Sequence, residues 1–134
     1  MRREFSLAED DEDCLKGTGL EWETIVESDT KWLILRKYRI PAGYNFSEAD
    51  AALRIPPSYP DAEIDMVYFF PALALASGRP VGALTLHPLE KKQYQQWSRH
   101  RTGANPWRPG LDNVCTHLLQ VDSWLTRELL KAAA

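Results

Sequence analysis

From Leu111 to Leu129 the residues Leu111, Val114, Cys115, Leu118, Val121, Leu125 and Leu129 recur at spacings of three and four, the stripe of one amphipathic helix. A helix of this kind is stable only when its stripe is covered, so the rest of the chain must supply a matching apolar surface. Pro109, with its pre-set backbone, marks where this last element opens. The covering surface is a sheet. Trp22 to Val26 and Trp32 to Tyr38 are rich in aromatic and β-branched residues, and Glu27-Ser28-Asp29-Thr30 between them is turn chemistry, which predicts a hairpin. After a loop at Pro41-Ala42-Gly43-Tyr44-Asn45, Ala51 to Ile55 forms a third strand, stopped by Pro56-Pro57, and Asp65 to Phe70 a fourth. Ser6 is placed to cap a short N-terminal helix that Gly17 or Gly19 would end. The expectation is an α+β domain: N-terminal helix, four-stranded antiparallel meander, long loop, C-terminal helix, with the sheet covered on one face.

The loop is the stretch 71–106, which holds Pro71, Gly78, Pro80, Gly82, Pro88, Gly103 and Pro106, too many breakers for long regular elements; only Leu89 to Trp97 has room for a helical turn or two. Irregular chain carried on a rigid sheet is where function concentrates. The 134 residues, 44% hydrophobic and 26% charged, suffice for one domain over 1–134, with 1–5 and 131–134 as frayed tails.

No apolar run is long enough for a membrane span, and the acidic N-terminal region lacks the basic flank and apolar core of a signal peptide, so the expected location is the cytoplasm. Cys14 and Cys115 lack the paired spacing of a disulfide framework or zinc knuckle, and His87, His100 and His117 are scattered without ligand spacing, so no metal is expected. There is no Gly-rich phosphate loop and no paired-carboxylate spacing, so no nucleotide cofactor is expected.

The net charge of −3 conceals an asymmetry. Glu9, Asp10, Asp11, Glu12 and Asp13 are contiguous and suit the solvated first turn of a helix, whose dipole favours carboxylates. Lys91, Lys92, Arg99, Arg101 and Arg108 share a stretch free of acidic residues. Five scattered cations in a chain of pI near 5.6 are a weak nucleic-acid signal, and an acidic protein partner or a C-terminal carboxylate fits them better.

Several short motifs occur in a telling order: Ile-Pro-Pro-Ser-Tyr-Pro at 55–60, His87-Pro88, Trp-Ser-Arg-His-Arg at 97–101 and Trp107-Arg108-Pro109-Gly110. Their order resembles that of ubiquitin-conjugating enzymes, in which a Tyr-Pro turn, a His-Pro-Asn, a catalytic cysteine and a Trp-x-Pro follow one another. The nearest resemblance is to the prokaryotic ubiquitin-conjugating-like proteins of family E, and it covers the chain from about Leu7 onward. It implies the ubiquitin-conjugating (UBC-like) fold. It also implies a ubiquitin-like protein and an adenylating activating enzyme as partners, and a deconjugating peptidase in the same pathway.

The resemblance raises a question about the nucleophile. Counting about nine residues from His87, and a similar distance back from Trp107, as the family pattern suggests, lands between Gln96 and His100, where there is no cysteine. Ser98 and His100 are the side chains there with suitable chemistry. Two apart in an extended segment, they share one face, so the imidazole is placed to act as base for a hydroxyl that is otherwise a poor nucleophile. Arg99 and Arg101 would face the other way and, with Trp97, meet the acidic terminus of a partner. An acyl group on Ser98 would be an oxyester. Leu89 stands where the family has Asn, so an oxyanion donor is missing from its usual place.

Cys115 is the second candidate nucleophile, in the first turns of the last helix where the dipole lowers a thiol pKa, although its place in the apolar stripe favours packing. Cys14, beside the acidic run, is expected to be inert, and Tyr59-Pro60 to be structural. Two functions stay open: a covalent carrier of a ubiquitin-like protein, or a catalytically silent adaptor of the same fold. An unrelated α+β hydrolase using His100 is a third.

Overall fold

The computed structural model describes residues 1–133. Among them are two helices and six strands: α1 (Glu9–Thr18), β1 (Trp22–Glu27), β2 (Thr30–Arg39), β3 (Glu48–Ile55), β4 (Val67–Phe70), β5 (Leu84–Leu89), β6 (Lys92–Trp97) and α2 (Val114–Ala133). The strands form one antiparallel sheet in the order β1-β2-β3-β4-β6-β5. The domain is α+β, helix, antiparallel sheet, C-terminal helix, and is compatible with a UBC-like fold. No helix is long and apolar enough to cross a membrane.

The sheet has two strands more than expected, because 84–97 is a hairpin and not a broken loop with a helical turn. Its loop is Glu90-Lys91, with φ of 54° and 61°, the left-handed pair whose twist matches that of the flanking strands. Pro88 is tolerated because β5 is the edge of the sheet, where a missing N–H need not break a ladder bond. The β1–β2 turn is built alike at Ser28 and Asp29, with φ of 52° and 60°.

Both faces of the sheet are covered. On one, Leu33, Leu35, Leu53, Val67, Phe69 and Trp97 bury the stripe of α2. On the other, Leu89 and Tyr94 of the hairpin close over Ile25, Trp32, Ile34, Ala52 and Tyr68. At the hairpin tip Glu90 bonds the Arg36 guanidinium at 2.7 and 3.1 Å, and Arg36 in turn holds Glu23 and Asp50. A polar clasp thus fastens the hairpin across β1–β3.

The helices begin later than expected. Ala8, not Ser6, precedes α1 and makes no side-chain cap, whereas Gly19, at φ 74°, ends it as its freedom allows. Asp11 leaves the solvated acidic run and is buried. Its carboxylate accepts the Tyr59 hydroxyl at 2.8 Å and the Val114 N–H at 3.2 Å, so α1 caps α2 through the Tyr-Pro loop. Asn113 adds a reciprocal cap, accepting from the Thr116 N–H at 3.1 Å while Thr116 Oγ1 accepts from the Asn113 N–H at 2.9 Å. Leu111 precedes this cap and is 65% exposed, outside the stripe, while His117, Trp124 and Glu128 join the buried side.

Two further expectations give way. Residues 1–5 are not a frayed tail: Arg3 bridges Thr24 in parallel, and the Glu4 N–H donates to the Thr24 carbonyl at 2.8 Å. Ala132 packs against the core instead of fraying. Cys14 and Cys115, far apart in sequence, form a disulfide between α1 and α2 with Cα atoms 6.4 Å apart, because the two helices pack where neither cysteine's sequence neighbours reveal it.

Candidate functional site

The candidate segment prolongs β6. Ser98 N–H donates to the Ala83 carbonyl at 3.1 Å, ahead of β5, and Met66 N–H donates to the Arg99 carbonyl at 3.2 Å, ahead of β4. Held on both sides, the backbone stays extended and its side chains alternate. Trp97 faces the helix-side core, fully buried, with its indole N–H on Gln95 Oε1 at 2.9 Å. Arg99 faces the same way and reaches Glu128 of α2 at 3.2 Å. Arg101 follows, its side chain only 4% exposed, 3.8 Å from Asp112. Ser98 and His100 therefore share the opposite, outer side.

On that side His100 is 61% exposed and has a partner that the sequence did not suggest. Its Nδ1 lies 2.8 and 3.0 Å from the two carboxylate oxygens of Asp65, which is itself 34% exposed. Among the described residues no hydrogen bond involves His100 Nε2 or joins His100 to Ser98. The arrangement is a partly open hydroxyl, a neighbouring imidazole and a carboxylate that grips the imidazole by one nitrogen.

The inner side is a buried polar cluster. Two Arg101 nitrogens, Nε and Nη2, and the Nδ1 of His117 have no hydrogen-bond partner among the described residues. His117 Nε2 is 2.8 Å from the Met66 carbonyl. Burial pushes the His117 imidazole down to about 4 and the nearby Arg101 cation pushes the same way, against the Met66 bond, so the ring is neutral. Burial alone would raise the Asp112 carboxyl; bonds from the Arg108 N–H, the Arg108 side chain and Thr116, with the Arg101 charge, hold it below the usual range. The Arg101 guanidinium also lies over the Trp107 ring, 5.0 Å from its centroid.

Tyr-Pro and Trp-x-Pro meet at the end of this segment. The Trp107 indole N–H donates to the Pro60 carbonyl at 2.9 Å, and the Tyr59 and Trp107 rings stand 6.2 Å apart. The Tyr59 hydroxyl, which also accepts the Val114 N–H at 3.0 Å, is pushed up by burial and by Asp11, so it stays protonated. His87-Pro88-Leu89 lies elsewhere. It is part of β5, with His87 against Trp32 and Tyr68 at 5.3 and 5.4 Å and Leu89 fully buried, so these residues do not follow the last strand as the resemblance implied.

Three expected contacts change accordingly. Trp97 is core and presents no surface to a partner, and Arg99 and Arg101 are engaged within the domain by Glu128 and Asp112. The sulfur of Cys115 is bound to Cys14 and is not a free thiolate. A groove of about 1380 Å³ runs between the 39–48 loop and α2 and is lined by Tyr44, Phe46, Leu118, Leu119 and Asp122, but by none of Ser98, His100 and Asp65. That separation is no objection, since joining two protein chains requires an accessible shelf more than a small-molecule cavity. Among the described residues no group of three or more His, Cys, Asp or Glu side chains is arranged to hold a metal ion.

No curated protein and no solved structure matches the chain. The family model described as prokaryotic E2 family E matches residues 7–128, which takes in α1, the whole sheet, the Ser98–Trp107 segment and most of α2. On this match, with the α+β order and the meeting of the Tyr-Pro and Trp-x-Pro loops, the chain belongs to prokaryotic E2 family E, whose members act in conjugation of ubiquitin-like proteins alongside an activating enzyme.

Proposed function

We propose that this E2-like protein accepts a ubiquitin-like protein from its activating enzyme as an oxyester on Ser98, with His100 as general base. One observation carries the reading. Within residues 96–100, the stretch reached by counting back from Trp107, the one hydroxyl, Ser98, and the one imidazole, His100, lie on the same outer side of the β6 extension, opposite the buried arginines. A serine hydroxyl needs such a base, whereas a thiol would not. The oxyester would pass its acyl group to amines more slowly than a thioester would, which suits hydroxyl acceptors or a slow transfer. A deconjugating peptidase would reverse it. The proposed setting is the cytoplasm, where reducing conditions would open the Cys14–Cys115 bond and return Cys115 as the rival thiol, for a thioester.

The catalytically silent adaptor is the second reading, and Leu89 favours it: the His87-Pro88-Leu89 stretch offers no amide side chain for an oxyanion, and Leu89 is buried in β5. Incubating the protein with its ubiquitin-like protein, activating enzyme and ATP, and weighing the products intact, separates the readings. The oxyester reading expects an adduct that resists thiol reductant, yields to hydroxide and disappears in Ser98→Ala. A reductant-labile adduct lost in Cys115→Ala would move the nucleophile to α2. No adduct from a charged activating enzyme would leave the adaptor.

A further inference from the structure

We infer that Asp65 is the positioning residue of this site, fixing the His100 ring so that Nε2 is the base that takes the Ser98 proton. The inference rests on the oxyester reading and adds to it a residue that neither the motif order nor the family points to.

Asp65 precedes β4, and β4 pairs with β6. Val67 lies opposite Trp97, so the chain ahead of β4 runs beside the chain beyond β6, and the Met66 N–H to Arg99 carbonyl bond carries that pairing past the last strand residues. Met66 has φ of 61°, a left-handed turn that offsets the strand's alternation. Ile64 is thus buried in the helix-side core together with Val67, while Asp65 reaches the surface. Both its oxygens then lie within 3.0 Å of His100 Nδ1.

A carboxylate beside Nδ1 keeps the proton on that nitrogen, because an unprotonated Nδ1 would set a lone pair against two anionic oxygens. Nε2 is then the unprotonated, basic nitrogen, and it has no hydrogen-bond partner among the described residues. This is the general pattern of a nucleophile, a base and a third group that orients the base. Ser98 and His100 come from one strand extension and Asp65 from its neighbour.

The step balances as follows. The Ser98 Oγ–H proton moves to His100 Nε2 while Oγ attacks the activated carbonyl carbon at the C-terminus of the ubiquitin-like protein, presented as an acyl adenylate or thioester. The bond from that carbon to the leaving oxygen or sulfur breaks, an ester to Oγ forms, and the leaving group or solvent takes the proton from His100. The Asp65 carboxylate, held against Nδ1, offsets the transient charge of the imidazolium.

The experiment pairs a spectroscopic readout with a kinetic one. In the free protein, nitrogen-15 NMR of the His100 ring should show the proton on Nδ1, and Asp65→Asn should abolish that single-tautomer preference while His117 keeps its signals as a folding control. With charged activating enzyme in excess, Asp65→Asn should slow adduct formation roughly tenfold to a hundredfold at unchanged half-saturation and alter its pH profile, since general-base catalysis contributes on the order of 10²-fold or more. Asp65→Glu should restore part of the rate. If the tautomer and the adduct rate both survive in Asp65→Asn, the positioning role is overturned and the oxyester reading stands. If wild type forms no oxyester although the activating enzyme is charged, the oxyester reading falls and the catalytic role of Asp65 with it.

Discussion

The four residues Ser98, Arg99, His100 and Arg101 lie on one extended backbone yet belong to two environments. The outer pair meets solvent and Asp65; the inner pair meets Glu128, Asp112 and the aromatic core. Charge is treated in opposite ways on the two sides. Outside, a partly exposed carboxylate and an exposed imidazole keep access to solvent, so their charges carry a small desolvation cost. Inside, a guanidinium is almost wholly buried with two nitrogens unsatisfied, and a histidine is held neutral beside it. The inner face anchors the segment to α2 and gives the outer face a fixed backbone on which to work. A base must be held near one geometry to be effective, and the anchor supplies that rigidity.

The division of labour is tested hardest at Asp112. Asp112→Ala strands the Arg101 charge and removes the acceptor of the Arg108 N–H, and should cost about 3–5 kcal/mol in urea unfolding, the usual loss when one partner of a buried pair is deleted. Arg101→Met, which removes the charge and keeps the bulk, should cost far less or nothing, because the unsatisfied nitrogens already burden the native state. Equal losses in the two variants would mean that the inner pair is not the buried, strained element described here.

The elements set by local chemistry, in the first half of the chain and in the last helix, were legible from their pattern. The β1–β2 turn, the Gly19 helix end, the strand stop at Pro56 and most of the α2 stripe follow from local chemistry that tertiary structure left alone. The misreadings lie where a local rule met a non-local one. Proline and glycine counts in 71–106 hid the β5–β6 hairpin, because Pro88 on an edge strand breaks nothing and the Glu90-Lys91 turn uses left-handed residues other than Gly or Asn. That error concealed Asp65 as well. Once β6 is known to lie beside β4, the residues ahead of Val67 must flank those after Trp97, and a carboxylate two positions before β4 becomes the natural partner of a histidine three positions after β6. Ser98 and His100 were singled out as candidates by counting from a motif, which needs no topology. The Cys14–Cys115 bond could not be found that way, since it depends on how two helices pack.

His117 offers a second test of the contrast, with an effect of about 3 kcal/mol. Burial lowers its pKa from the usual 6.5 to about 4 in the fold. Between those values the unfolded chain binds the extra proton and the folded one does not. Stability contributed by the neutral ring is therefore full above pH 6.5 and is lost as pH falls towards 4, at about 1.4 kcal/mol per unit. Urea midpoints measured at intervals across this window should fall steadily, and His117→Leu should flatten that part of the profile. A profile that keeps its full slope in His117→Leu would erase the difference between the two faces.

The smallest effect is expected at Arg99, which separates the two inner arginines from each other. Its partner Glu128 also has Lys131 within 3.3 Å, so removing Arg99 does not leave the carboxylate alone, and the Arg99 side chain is 16% exposed, against 4% for Arg101. With Lys131 still beside Glu128, losing this pair should cost about 1 kcal/mol, well below the cost of a buried charge left alone, and the stacking of Arg99 on Trp97 at 5.0 Å adds a similar amount. Arg99→Ala should therefore lower stability by about 1–2 kcal/mol and leave the Ser98 adduct able to form. A loss as large as that of Asp112→Ala would mean that the segment is pinned along its whole length and that Arg99, like Arg101, serves the fold alone. A small loss in stability with a marked rise in the amount of ubiquitin-like protein needed would instead return Arg99 to the role that its charge first suggested, holding the acidic terminus of a partner.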